Sequence, residues 1–225
     1  MTKYQTLVHE YRGNLLDTIH NGYLAIVDEN SRLLYHIGDP DTIVFYRSAS
    51  KPLQAIPIIM RGLDRRYGLT DEETIIFGGS HCGDQTHIAV LESIVQKVGI
   101  QEEMLIMKPA IPARRESNEQ RVCAGLSKRK LYHNCAGKHI ALAMLQRELN
   151  ADLGEYHVKD APAQTEVHRI LEIMGESHAG NMHVGIDGCG VPVFATGLRH
   201  IAIAFKNLAV PEKISDDKLS ESFSR

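Results

Sequence analysis

The run Thr42-Ile43-Val44-Phe45-Tyr46-Arg47-Ser48-Ala49-Ser50-Lys51-Pro52 joins two kinds of patterning. Residues 42–46 are β-branched and aromatic, which predicts a strand. LQAIPIIMRGL (53–63) then predicts a helix that Pro57 must kink or end. Pro52 suits a first helical turn, where N–H groups lack partners, so the helix starts close to Ser48. A strand that feeds a helix in this way sets the expected class, α/β or α+β.

The flanking sequence agrees. GYLAIVD (22–28) and RLLYHIG (32–38), split by the polar Glu29-Asn30-Ser31, predict a β-hairpin. ETIIF (73–77) reads as a buried strand that ends in Gly78-Gly79-Ser80-His81-Cys82-Gly83-Asp84. From Gln85 the pattern turns helical, with Ile88, Leu91, Ile94, Val95 and Val98 on one face and Asp84 placed to cap it. Residues 108–134 show no periodicity and read as one long irregular loop. A helix opens at Asn134-Cys135-Ala136-Gly137-Lys138-His139, and a second covers Ala163 to Met174. The strands HVGID (183–187) and VPVFA (191–195) flank a Gly188-Cys189-Gly190 turn, and Gly197 to Leu208 closes as a helix. Residues 1–209 therefore read as one domain and 210–225 as a polar tail, with no internal repeat.

Composition excludes several classes of function. Hydrophobic residues make up 43% and charged residues 24%, so a packed core is expected. A net charge of −3, without a basic face or a known motif, gives no reason to expect nucleic acid as a partner. The N-terminus lacks a secretory pattern, and no apolar run reaches bilayer length. A cytoplasmic protein without a membrane partner is expected. In a reducing compartment the 4 cysteines serve as core filling, metal ligands or catalytic groups rather than disulfides.

Ser48 and Lys51 form a Ser-x-x-Lys pair at the strand-to-helix junction. A serine hydroxyl is a poor nucleophile until a base takes its proton. A lysine three positions on shares its helical face and, when desolvated, can be that base near neutral pH. The plainer alternative is a helix start with an exposed lysine. The glycines around Ser80 permit a sharp turn and close approach to a ligand, or simply a tight connection. Cys135, Lys138 and His139 at a helix start, with Cys189 in a Gly-Cys-Gly turn, offer two thiols and a nearby nitrogen that can hold zinc, lysine being a rare ligand, or merely fill a core. Asp187 suits an α-ammonium and Arg47 an α-carboxylate.

Taken together, YRSASKPLQAIP (46–57), GGSHCGDQTH (78–87), HNCAGKH (133–139) and GIDGCGVPVF (185–194) resemble the thermolabile Ser-Lys class of L-asparaginases. The blocks stand in the family's order, and the resemblance runs to about residue 209. It implies a fold similar to serine β-lactamases and penicillin-binding proteins, with a mixed sheet flanked by helices, in a homodimer that converts L-asparagine to aspartate and ammonia. Ser48 would be the nucleophile, Lys51 its base and Ser80 part of a second Ser-Lys pair. Cys135, Lys138 and Cys189 would hold zinc with a water, the metal tuning substrate binding rather than performing hydrolysis. Arg47 and Asp187 would anchor substrate. Family members are longer, and the lysine expected beside Ser80 lies in their C-terminal part, so a truncated chain with an incomplete sheet is expected. Two alternatives stand beside this reading. One is a catalytically inactive remnant that binds zinc or an amino acid. The other is a β-lactamase-like hydrolase of another amide, although the Ser-Asp-Asn and Lys-Thr-Gly motifs are absent.

Overall fold

The structure is a computed structural model that describes residues 5–177, 180–214, 216, 219, 220 and 223. Strands and helices are mixed. In chain order they are β1 (Gln5–Arg12), β2 (Leu15–Gly22), β3 (Leu24–Val27), β4 (Leu33–Ile37), β5 (Ile43–Phe45), α1 (Lys51–Met60), α2 (Leu63–Arg66), α3 (Asp71–Ile75), α4 (Gln85–Val98), α5 (Arg115–Cys123), α6 (Ala136–Glu148), α7 (Pro162–Met174), β6 (His183–Ile186), β7 (Pro192–Gly197) and α8 (Leu198–Ala209). Two compact units emerge. One holds the chain up to Tyr46, Glu172–His183 and the chain from Phe194 onward; the other holds Arg47–Leu171 and Val184–Val193. Among the described residues no helix is long and apolar enough to cross a membrane.

The first unit is built on small sheets. β3 and β4 form the expected hairpin, antiparallel with Leu24 opposite Ile37, and the Asp28 carboxylate closes its turn by accepting from Asn30 and Arg32 N–H. β5 pairs antiparallel with β7, Val44 opposite Thr196. α8 packs on β3. A second hairpin, β1 with β2, was not legible beforehand; every residue in it is exposed except the half-buried Gly22. With neither face buried, its side chains carry no alternation to read. In the tail, residues 211–213 make a 3-10 turn, and Ile214 and Leu219 are buried, so this stretch is not uniformly solvated.

The second unit centres on α6, which is buried from Ala136 to Gln146, with the polar Lys138, His139 and Gln146 among its buried side chains. α1, α4 and the 3-10 turn Ile76–Gly78 pack on it. Gly137 makes that fit possible: a Cβ there would lie 2.4 Å from the Ile76 carbonyl oxygen. Pro57 lies inside α1 without ending it.

The strand predicted at 73–77 is a correction, because these residues lie in α3 and the following 3-10 turn. Thr70 forms a capping box with Glu73, its hydroxyl accepting Glu73 N–H while the Glu73 carboxylate accepts Thr70 N–H. That box starts a helix where the short apolar run alone is ambiguous. The stretch 108–134 also differs, since it contains α5, a helix without one buried residue and hence without an apolar period to detect.

Candidate functional site

Ser48 lies in a 3-10 turn, Arg47–Ser50, that runs into α1. With three residues per turn, Ser48 and Lys51 fall on one line of the helix surface. Ser48 is exposed, whereas Lys51 is 1% exposed. The Lys51 ammonium donates to Ser80 Oγ at 2.7 Å and to the Asn134 carbonyl at 3.1 Å. Among the described residues the Ser48 hydroxyl makes no hydrogen bond. Burial lowers the Lys51 pKa from the ordinary lysine value, and Lys138 pushes the same way against the opposing pull of Cys135. A lysine held in this way reaches the neutral, proton-accepting form more readily than one in water.

The first turn of α6 brings three more predicted residues together. Cys135 stands at its N-cap, Lys138 follows within the turn, and both are buried, as is Cys189 from the turn between β6 and β7. The Lys138 amine lies 3.2 Å from Cys189 Sγ. Gly190 holds that turn with φ +92°, and Ile106 Cδ1 lies 2.7 Å from the place a Cβ would take. A hydrogen bond from Cys189 lowers the Cys135 thiol to about 6, and the same bond raises Cys189. The pair therefore shares one proton, with thiolate character on Cys135. Two buried thiols that share one proton, with Lys138 Nζ against one sulfur, are a donor set that fits a soft cation such as zinc once the Lys138 ammonium gives up a proton.

Asp187 is clasped from two sides. Arg47 Nε lies 2.9 Å from its Oδ1, and Lys138 Nζ lies 3.7 Å from its Oδ2. Its pKa falls below the ordinary value: burial pushes it up, but the Gly188 N–H and the two cations outweigh that. Arg47 itself adopts φ +49°, a left-handed conformation unfavourable for a side chain of its size. Such strain costs about 1–3 kcal/mol and persists where the surroundings fix it.

Ser80 borders a cavity of about 320 Å³ lined also by His81, Thr86 and His87. That volume is at the small end of small-molecule sites. Ser48, Arg47 and Asp187 do not line it. His81 is buried, and burial first of all lowers its pKa to about 4, so its imidazole is neutral.

Two participants had no signature in the sequence. Tyr156 Oη accepts Ile106 N–H at 2.9 Å and meets His139 Nδ1 at 2.8 Å. Assigning the phenol proton to Nδ1 leaves the His139 proton on Nε2. The Asn134 main-chain carbonyl is the other, since it carries no residue-type information.

No curated protein matches the chain. The family model for L-asparaginase II matches residues 8–224, and the chain belongs to that family.

Proposed function

We propose that this member of the L-asparaginase II family hydrolyses the side-chain amide of L-asparagine through a serine acyl-enzyme with Lys51 as its base. The observation that carries the reading is the buried Lys51, three positions along the chain from Ser48, its pKa lowered and its amine on the Ser80 hydroxyl at 2.7 Å. Ser48 Oγ attacks the amide carbon as neutral Lys51 takes its proton. The C–N bond breaks, Lys51 returns the proton to the leaving nitrogen, and ammonia departs from an ester on Ser48. Water then attacks that ester, Lys51 again accepting a proton, and aspartate leaves with Ser48 restored. Backbone N–H groups near the serines hold the oxyanion.

Arg47 and Asp187 suit the zwitterionic end of the substrate. Their ion pair, 2.9 Å apart, is the charge complement of an α-carboxylate beside an α-ammonium. Substrate exchanges one ion pair for two, so neither charge is left bare. Cys135, Lys138 and Cys189 would hold zinc, whose charge would tune substrate binding when present. The family resemblance further supports a β-lactamase-like core and a homodimer, and the cytoplasmic location expected from the sequence is part of the same proposal.

A second reading makes Ser80 the nucleophile, favoured by the same 2.7 Å bond. Ammonia release from L-asparagine, measured beside a folded Ser48→Ala variant, tests the scheme. Loss of release with the acyl adduct of a slow substrate on Ser48 supports it. An adduct on Ser80 supports the second reading, and no release from the folded parent chain favours the inactive, ligand-binding alternative.

A further inference from the structure

We propose a second metal site, for a zinc-class divalent cation, formed by Cys82 Sγ, Asp84 Oδ2 and His87 Nδ1 with a water in the fourth position. It is separate from the Cys135, Lys138 and Cys189 set. Cys82 Sγ lies 3.4 Å from Asp84 Oδ2 and 3.8 Å from His87 Nδ1. Tetrahedral zinc with bonds of about 2.3 Å to sulfur and about 2.0 Å to nitrogen or oxygen sets its donors about 3.5 Å apart. Both sulfur separations lie close to that value before any metal enters.

The local fold holds these donors in place. Asp84 is the N-cap of α4, its Oδ1 accepting His87 N–H at 3.1 Å, so that Oδ2 is turned toward Cys82. Gly83, between the first two donors, adopts φ +70°, and a Cβ there would lie 3.2 Å from the Tyr132 carbonyl oxygen and 3.3 Å from Pro112 Cα, so glycine suits the turn that brings Cys82 back toward Asp84. His87 Nδ1 also contacts Asp84 Oδ1 at 2.6 Å and must turn from it toward the metal. Arg114 approaches Asp84 Oδ2 at 3.4 Å, but its side chain is 57% exposed and can swing into solvent.

His81 supplies an independent sign of a ligand. It is 5% exposed, yet neither ring nitrogen has a hydrogen-bond partner among the described residues. A buried polar group left in that state is destabilising unless something completes it. Its ring stacks on His87 with centroids 5.5 Å apart, and both rings line the cavity that also reaches Ser80. A water bound to a metal at His87 would sit in that cavity and give His81 its missing partner.

Cobalt(II) tests the site, because each thiolate ligand adds a near-ultraviolet charge-transfer band. In the metal-free Cys135→Ser/Cys189→Ser double variant, one equivalent of Co²⁺ is expected to raise a thiolate band that Zn²⁺ abolishes. Adding Cys82→Ser is expected to remove the band, and adding His87→Gln to weaken Co²⁺ binding at least tenfold. Absence of the band in the folded double variant, or its survival in Cys82→Ser, overturns the proposal. Should the double variant not fold, bound zinc is counted with a chromophoric chelator in the parent chain and in Cys82→Ser. Loss of one equivalent supports the site, and an equal count overturns it.

Discussion

Lys51 and Ser80 lie 29 positions apart in the sequence and are joined by a 2.7 Å hydrogen bond, while Ser48, three positions from Lys51, is left free of it. The buried amine is thus held on Ser80, and its service to Ser48 belongs to the proposed mechanism. Lys51→Met is expected to reduce ammonia release by about 10²–10⁴-fold, the usual worth of a general base. Lys51→Arg should not restore it, since a guanidinium does not give up its proton. Recovery in the arginine variant would show that Lys51 acts only through its charge.

The pH profile follows from the same residue. Catalysis needs the neutral amine, and burial lowers the Lys51 pKa. Activity should therefore rise with pH and level off below the ordinary lysine value of about 10.4. A profile of kcat/KM still climbing at that value would remove Lys51 from the role of base.

Asp187→Asn keeps the shape of the side chain and removes its charge. Loss of a charge-assisted contact to an α-ammonium, worth about 1.5–3 kcal/mol, corresponds to about 10–150-fold in affinity. KM should rise by that order while kcat changes little, and steady-state kinetics separates the two. A fall confined to kcat would move Asp187 from anchoring to chemistry.

Gly137→Ala tests the packing beneath the site. Its Cβ would meet the Ile76 carbonyl oxygen at 2.4 Å, so α6 or the 3-10 turn must shift. A loss of about 1–3 kcal/mol is expected, read from denaturant unfolding. An unchanged midpoint would mean that α6 does not lie so close to Ile76.

Glu73 gives a stability signature in acid. Burial alone would raise its pKa, but bonds from Lys97, Ser93 and Thr70 outweigh this and hold it at about 2. Its folded-state value is below the unfolded one, so its contribution is complete above about pH 4.5 and is lost as pH falls toward 2. Glu73→Gln should be less stable at neutral pH and should lose less on acidification, as thermal melting at both ends of that range would show.

The site was legible wherever chemistry is written in residue type and spacing. Ser48 with Lys51, the Cys135–Lys138 pair and the Gly188-Cys189-Gly190 turn could be found because reactive side chains stand next to structural punctuation. The Lys51 bond to Ser80 was not legible, since it depends on how the Ile76–Gly78 turn seats against α1 and α6. Asn134 acts through a carbonyl and Tyr156 from an irregular stretch, so neither carries a pattern. For the fold, half-buried elements such as β3 and β4 announced themselves. The exposed β1, β2 and α5 did not, because a period needs a buried face to create it.

The placing of α6 bears on how the protein wears out. Its first turn carries Cys135, Lys138 and His139, and the residue before that turn supplies the carbonyl that steadies Lys51. A helix enclosed on all sides has no partial opening open to it short of melting its unit. These groups therefore stay aligned together or scatter together. On heating, loss of the site and loss of amide-exchange protection along α6 would be one event seen through two clocks.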